Sequence, residues 1–386
     1  MKGNKWMKKL RVCGLLIALI LVMLVPAAAL AAQVSVGGVG LEKGQYTLSG
    51  ERAAYTGEPS GTGWAWLHDV DGQLVLTLNG YDNMNATYGY LTEFYYYDYY
   101  ALHAETELTI ELIGTNRLTG VSQGQGSARS CFMGIYHNKP LTIAGKGSLA
   151  VQGGDFGIYG DGAASLTMKS GTLDASAVEK RAAIREEKDI VIEGGAIKGS
   201  VSGTSAAITS VYGNISINGG TVTAVDHEGN GLQASGDITI TGGTINIQAH
   251  CAIKGRNVTI DNGEILIVSD IGMDARNGML SLNGGKFDIT YKNAAAYAKK
   301  YSNSLMLPPD ADFYDYNGWW CKLDYGKYFE ANDMSTTRRM SLPYAPGASA
   351  IVLPSTGDDA HLGLWVMLLT LSTLGIVLLK RKAVKA

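Results

Sequence analysis

Cysteine is scarce in this sequence, with four residues among 386. No CxxC pair and no Cys/His spacing typical of a zinc site occurs, so a structural zinc site is not predicted. Cys13 lies in a segment predicted to be removed, which leaves Cys131, Cys251 and Cys321. Three thiols cannot form a complete set of internal disulfides. Buried thiols are the favoured interpretation, and one bridge from Cys321 to a repeat is the alternative.

Positive charge is also sparse. The chain has 32 Lys and Arg against 35 Asp and Glu, and removal of the two predicted targeting segments leaves 23 basic and 33 acidic residues. Because nucleic-acid binding depends on clustered Lys and Arg, this balance argues against a nucleic-acid partner. The sequence also contains no P-loop, no zinc-protease motif and no recognisable Ser/His/Asp set.

The N-terminus has the three parts of a secretory signal peptide. A basic start is followed by an apolar run from Leu15 to Val25 and by small residues at 29–31. That order predicts secretion and cleavage, and we assign residues 1–31 to the signal peptide.

The C-terminus combines the pentapeptide LPSTG, an apolar run from Leu362 to Leu379 and a basic tail. The run is long enough to span a membrane. Residues 353–386 resemble the LPXTG cell-wall sorting signal of Gram-positive surface proteins. The resemblance implies that a sortase cysteine attacks the carbonyl of Thr356, cuts the bond to Gly357 and joins Thr356 to a peptidoglycan amine. The recognition residues would be Leu353, Pro354, Ser355, Thr356 and Gly357.

The two end segments together predict a location. The protein would be secreted, would sit in the membrane only before sorting, and would then be anchored to the cell wall of a Gram-positive bacterium. Its partners there would be sortase and peptidoglycan.

Between the ends, apolar and polar residues alternate in a pattern that repeats every 20–25 residues. Alternation predicts strands with one buried face, and paired glycines mark the turns between them. The first apolar residue of each repeat forms a column: Leu141, Leu166, Ile190, Ile215, Ile238, Val258 and Leu280. One repeat cannot bury its own apolar face, so repeats must stack. This predicts an all-β, right-handed parallel β-helix; a hairpin-built β-sandwich is the alternative.

The regions that flank the repeats are predicted to cap the solenoid, because its apolar ends need cover. We assign residues 32–100 to an N-terminal cap and first strands, 101–293 to the repeats, and 294–352 to a C-terminal cap and linker. The alanine-rich segment at 293–305 has a composition that favours helix.

Segments such as LTLNGY at 76–81 and GLQASGDITITGG at 231–243 resemble the carbohydrate-binding β-helix repeats of clostridial and related surface proteins. The resemblance covers about residues 74–290. Members of that family are similar in shape to pectate lyases and include binders of acidic polysaccharides with bound calcium.

The resemblance implies that acidic turns could bind calcium, which needs six to eight oxygen ligands. Family repeats often carry Asp-Asp-Gly-Ile at one turn, whereas single acids occur here. The candidate ligands, predicted to share one turn column, are Asp155, Asp226, Glu228 and Asp270. Solvated acids at turns are the alternative interpretation.

A tyrosine-rich segment, YGYLTEFYYYDYY at 88–100, interrupts the early repeats. Flat rings with a polar edge can stack on sugars and bond their hydroxyls. The predicted ligand-binding residues are Tyr88, Tyr90, Tyr95, Tyr97 and Tyr99. Capping of the solenoid end is the alternative role for these rings.

Three functions are compatible with these features. The favoured hypothesis is a non-catalytic, wall-anchored protein that binds a polysaccharide or host glycan. The alternatives are an adhesive or structural protein that binds another protein, and a polysaccharide lyase. A lyase would use an outward cation such as Arg185 or Lys254, but these lie three repeats apart, and Glu186-Glu187 reads as a solvated turn.

Overall fold

The computed structural model describes residues 33–83, 88–91, 97–120, 131–178, 181–201, 203, 205–303, 313–316, 320–322 and 338–342. Every regular element within these ranges is a β-strand. The predicted signal peptide and sorting signal lie outside them. Among the described residues, no helix has the length and apolar character needed to cross a membrane.

The repeats wind into a parallel β-solenoid of about seven turns, which confirms the predicted fold class. Equivalent strands of successive turns pair in three parallel ladders. Ladder A begins with the strands Tyr97–Ala104, Cys131–His137, Phe156–Gly160, Ala182–Glu186 and Ala206–Ser210. Ladder B contains Leu108–Ile113, Leu141–Gly145, Leu166–Met168, Ile190–Ile192, Ile215–Ile217, Ile238–Ile240 and Val258–Ile260. Ladder C begins with Thr115–Gly120, Ser148–Gly153, Thr172–Ala177 and Ala196–Val201.

In the later turns, strands continue through the corners from one ladder to the next. Two strands pass from ladder C to ladder A: Thr221–Ala234 and Thr244–Lys254. Two further strands run through all three ladders: Glu264–Leu282 and Lys286–Asn303.

Further strands adjoin both ends of the solenoid, and most of them pair antiparallel with one another. Two of them, Gln73–Asn79 and Phe313–Tyr316, also pair in parallel with ladder B and ladder A. Those before the first turn are Val34–Val36, Val39–Leu41, Gln45–Leu48, Tyr55–Thr56, Trp64–Val70, Gln73–Asn79 and Tyr88–Leu91. After the last full turn come Phe313–Tyr316, Trp320–Lys322 and Arg338–Leu342. Val34–Val36 pairs with ladder A, and Arg338–Leu342 pairs with the last strand of ladder C.

The register confirms the predicted apolar columns. In ladder B, Ile215 pairs with Ile238 and Ile238 with Val258, in parallel, so the β-sandwich interpretation is wrong. All members of this column are essentially fully buried. Burial of one such side chain stabilises the fold by roughly 1.5–3 kcal/mol. The main core is therefore a continuous column that no single turn could form.

Glycine pairs turn the chain between ladders B and C. The second glycine of each pair has a positive φ, 77° at Gly220 and 93° at Gly243. A Cβ at Gly243 would also lie 2.8 Å from the carbonyl oxygen of Gly220 in the turn before. Both the backbone conformation and the close approach of stacked turns therefore require glycine here.

The alanine-rich segment forms a strand rather than the helix that its composition favours. Residues 294–303 are strand, with Ala294 paired to Ile271 and Ala296 to Met273. The helix-favouring interpretation is wrong because pairing with the preceding turn outweighs local propensity. Alanine also fits the crowded interior, where Ala294 and Ala296 are fully buried.

A ladder of Asp and Asn side chains, here called the Asx ladder, joins successive turns before the later strands of ladder B, from Ile190–Ile192 onward. The backbone N–H of Asn214 donates to Asp189 Oδ1 at 2.7 Å, and that of Asp237 donates to Asn214 Oδ1 at 2.8 Å. Asn257 Nδ2 donates to Asp237 Oδ1, and the N–H of Met279 donates to Asn257 Oδ1, both at 2.9 Å. These bonds satisfy backbone groups that the corner leaves outside the ladders.

We expect Asn214→Ala to lower the free energy of unfolding by about 0.5–1.5 kcal/mol, because the N–H of Asp237 loses its acceptor at an exposed corner. Urea unfolding would measure the change. Asn246→Ala, on the outward face of ladder C, is the matched control and should change stability by less than about 0.5 kcal/mol. Equal effects of the two substitutions would contradict a stabilising role for the Asx ladder.

Candidate functional site

The outward side of ladder A carries a cluster of aromatic side chains in its first turns, here called the aromatic patch. It consists of Tyr99, Tyr100, His103, Phe132, Tyr136, Phe156 and Tyr159. Parallel register brings these residues together, since His103 pairs with Tyr136 and Tyr136 with Tyr159. A residue type that recurs at one position of the repeat therefore becomes a continuous stack.

The rings of the patch stack on one another. Ring centroids are 4.6 Å apart for Tyr100 and His103, 5.1 Å for His103 and Tyr136, and 6.0 Å for Tyr136 and Tyr159. Neighbouring rings cover one another's faces, so the groups left for a ligand are ring edges and hydroxyls.

The base of the patch is apolar. Tyr100, Met133, Phe156 and Ala182 form a buried cluster separate from the main core, and Tyr136 and Tyr159 pack against it. The half-buried tyrosines therefore combine an apolar support with a polar edge, a combination suited to amphipathic ligands.

Two guanidinium groups border the aromatic rings. Arg185 lies 4.8 Å from the centroid of Tyr159, and Arg181 lies 5.5 Å from that of Phe156. Arg185 also pairs with Glu187 at 2.8 Å. Cation–π contacts of this kind stabilise by about 0.5–1 kcal/mol at exposed sites. The arginines thus hold the rings as well as placing positive charge beside them.

Burial sets the protonation of the patch. It raises the pKa of Tyr136 to about 12, with further contributions from Asp161 and neighbouring groups, so its hydroxyl remains a hydrogen-bond donor at neutral pH. Burial lowers the pKa of His103, and the charge of Glu105 opposes that shift. His103 is therefore mainly neutral at pH 7.

The same register continues the line of outward side chains beyond the patch. Arg185 pairs with Thr209, Thr209 with Gln233, and Gln233 with Lys254. We call the line from His103 through Tyr136 to Lys254 the outer column. Arg185 and the exposed Lys254 lie three turns apart on it, as predicted.

The predicted tyrosines lie at the same end of ladder A as the patch. Tyr88 pairs with Tyr100 in an antiparallel hairpin, and Leu91 pairs with Tyr97. Tyr99 stacks on Phe132, with centroids 4.9 Å apart. Tyr95 and the side chains of Tyr88, Tyr90 and Tyr97 lie outside the described residues.

Tyr136 and Tyr159 are not among the residues that the sequence predicted for the site. Each lies outside the tyrosine-rich segment, in its own repeat, and only their common position after the Gly-Ile dipeptide signals that they stack.

Two of the predicted calcium ligands, Asp226 and Asp270, do not occupy the same register position, because Asp226 aligns through Ala249 with Ser269; calcium binding itself stays a prediction. Asp226 pairs in register with Val201 and Ala249, and Asp270 pairs at 2.9 Å with His250 and at 3.2 Å with Lys292. Asp155 is paired with Arg181 at 2.9 Å, and Glu228 is exposed beside the irregular corner after Asp226. Within the described residues, no group of three or more His, Cys, Asp or Glu could hold a metal ion.

The buried carboxylate of Asp226 instead stabilises the backbone of its corner. Its Oδ1 accepts hydrogen bonds from the N–H groups of Gly203, Glu228 and Gly229. Burial raises the pKa of Asp226 despite these bonds. Register and burial therefore assign Asp226 to the corner itself.

Cys131 and Cys251 are free thiols, and the side chain of Cys321 lies outside the described residues. Burial raises the pKa of both described thiols to about 12, so neither is a reactive thiolate at neutral pH. This confirms a buried thiol at Cys251, while Cys131 is half-buried.

A fully buried ion pair lies beneath the patch. His137 Nε2 and Glu186 Oε1 are 3.0 Å apart, and both side chains are 0% exposed. The solvated interpretation of Glu186 is therefore wrong, because its side chain points inward. Burial lowers the pKa of His137, but the charge and hydrogen bond of Glu186 outweigh it, and the net shift is upward.

A parallel β-solenoid with an aromatic, cation-bordered outer column belongs to the class of extended, repeat-built binding scaffolds. A family model described as "Carbohydrate-binding domain-containing protein" matches residues 103–302. The chain belongs to this family. Neither the curated proteins nor the solved structures provide a match. The matched region contains the outer column and most of the patch.

We expect Glu186→Gln to lower stability more at pH 6 than at about pH 9. The folded-state pKa of His137 is raised above its usual 6.5, so the pair stabilises fully below that value and loses this contribution as pH rises through the folded-state pKa. The loss at pH 6 should be at most about 3–5 kcal/mol, measured by urea unfolding. Glu193→Gln, an exposed acid of the same turn, is the control. A pH-independent difference would show that the pair is not charged.

Proposed function

We propose that the protein is a non-catalytic, wall-anchored surface protein that binds a polysaccharide or glycan through the outer column of ladder A. The observation that carries this proposal is the aromatic patch, continued in register by polar and cationic side chains. Family membership supports a carbohydrate ligand.

The chemistry of the outer column suits a carbohydrate. Phenol hydroxyls of Tyr136 and Tyr159 can exchange hydrogen bonds with sugar hydroxyls, while ring edges contact the apolar C–H groups of a sugar. Gln233 and Lys254 extend these polar contacts. Equivalent groups recur about every 4.8 Å along the solenoid, so an extended chain can meet several of them.

Binding without catalysis is favoured by how the cations are held. Arg185 is paired with Glu187 and lies over Tyr159, which suits a fixed charge rather than a proton acceptor. Lys254, the other candidate base, lies three turns away from it.

The location is proposed from the two end segments. The signal peptide would direct secretion, and the LPSTG signal would let a sortase join Thr356 to peptidoglycan. The binding face would then be displayed outside a Gram-positive cell.

We expect Tyr136→Ala and Tyr159→Ala each to weaken glycan binding by about tenfold or more, since aromatic anchors commonly contribute 1–2 kcal/mol or more. A glycan array with the secreted protein, followed by titration of any hit, measures this. Tyr212→Ala is the matched control, because Tyr212 is 71% exposed but lies off the outer column. Absence of any glycan hit would favour the protein-binding alternative, and release of unsaturated products from uronate polymers would favour a lyase.

We expect Thr356→Ala to release the protein from the wall fraction, because the acyl bond to peptidoglycan would not form. Immunoblots of wall, membrane and medium fractions measure the distribution. Ser355→Ala changes the variable position of the motif and should remain wall-bound. Wall attachment of the Thr356 variant would contradict the proposed anchor.

A further inference from the structure

A clamp of buried polar residues spans three turns directly under the patch. His137 pairs in register with Gly160, and Glu186 lies in the following turn. His137 Nε2 reaches Glu186 Oε1 at 3.0 Å across the turn of Gly160, and its Nδ1 lies 2.8 Å from the carbonyl oxygen of Lys139. The ion pair therefore connects two turns that are not adjacent.

Glycine at position 160 makes this connection possible. A Cβ there would lie 2.0 Å from Glu186 Oε2 and 2.8 Å from the Cβ of Ala164. Any larger residue would displace the carboxylate from the space between the turns. His137, Gly160 and Glu186, here called the buried clamp, are thus a matched set.

Each residue of the clamp directly follows a residue of the outer column. The outward residues are Tyr136, Tyr159 and Arg185. Neighbouring residues of a strand point to opposite faces of the sheet. An inward side chain that is held in place therefore also holds the backbone from which the neighbouring outward side chain projects. The ring-to-ring distance of 6.0 Å and the ring-to-guanidinium distance of 4.8 Å both depend on this spacing.

Stability alone is a poor explanation for the clamp. Well-packed apolar residues often stabilise a core as well as a buried ion pair does, because both charges must be desolvated. Glu186 Oε2 is also buried and has no hydrogen-bond partner among the described residues. An arrangement that apolar residues could replace without loss of stability, placed under the patch, points to a geometric role.

We infer that the buried clamp positions the aromatic patch: it holds three turns at the spacing that the stack of Tyr136, Tyr159 and Arg185 needs to bind its ligand. His137, Gly160 and Glu186 are positioning residues, because they contact the ligand only through their neighbours. This inference rests on the proposed function for its effect on binding, but not for its effect on ring geometry.

The test compares the secreted wild-type protein with three single variants, Glu186→Gln, Gly160→Ala and Glu186→Ala, and with the double variant Gly160→Ala/Glu186→Ala. Ring resonances of Tyr136 and Tyr159, assigned with Tyr→Phe variants, report the geometry without any ligand. Affinity for soluble pectin and for xylan reports binding. Far-UV circular dichroism verifies the fold, and Glu193→Gln is the control.

We expect Glu186→Gln and Gly160→Ala to shift both sets of ring resonances and to weaken binding about tenfold, as outer-shell substitutions do at metal sites. In the Glu186→Ala background, Gly160→Ala should add a smaller shift than it does in the wild type, since the clash with the carboxylate is gone and only the contact with the Cβ of Ala164 remains. The control should match the wild type.

Unchanged ring resonances in Glu186→Gln would overturn the inference, even if Gly160→Ala did not fold. Shifted rings with unchanged affinity for a polysaccharide that the wild type binds would also overturn it. If the wild type bound neither polysaccharide while the rings shifted, the positioning of the rings would stand and the proposed ligand class would need revision.

Discussion

Parallel pairing between successive turns places each repeat residue about one strand spacing, roughly 4.8 Å, from its equivalents. Along ladder B this pairing stacks Ile215, Ile238 and Val258 into a buried column, and no turn could bury that surface by itself. Any residue placed in a column must suit the residues above and below it. The stack of turns therefore constrains the glycine corners, the Asx ladder and the outer column together.

The same constraint produces the candidate site. Tyr136 and Tyr159 lie one turn apart in sequence, yet pairing in ladder A brings their ring centroids to 6.0 Å. Arg185 then covers the face of Tyr159 at 4.8 Å. An outward column on such a scaffold is rigid and periodic, because each backbone position is bonded on both sides. Those properties suit a chain-like ligand, whose own groups recur at regular intervals.

Polar side chains inside the solenoid are placed by their hydrogen-bond and ion-pair partners rather than by apolar stacking. Asp226 accepts hydrogen bonds from backbone N–H groups at an irregular corner, where the register shifts before Asn230. His137 and Glu186 meet across Gly160, which provides space because it has no side chain. Charged groups are expensive to bury unless they are paired or bonded. Such residues mark places where the repeat departs from a purely apolar interior for a structural or functional reason.

Local patterns in the sequence were sufficient to predict the fold class and the apolar columns. Alternation, glycine turns and the spacing of Leu141, Leu166 and Ile190 are short-range signals, and stacking preserves them. The outward direction of Arg185 and Lys254 could also be predicted, whereas ligand binding by the tyrosine-rich segment stays a prediction. The alanine-rich strand at 294–303 was not predicted, because its pairing outweighs the local preference of alanine.

What the tertiary structure decided is which polar residues meet. His137 and Glu186 are 49 positions apart, and no local pattern shows that their side chains meet across Gly160. The acids once expected in one column separate for the same reason, since corner lengths differ between turns and move Asp226 out of register with Asp270. The sequence by itself determined which segments form strands and which of their side chains face inward, because both follow from the alternation of apolar and polar residues. Contacts between turns depend on the register of whole coils, which only the folded chain specifies.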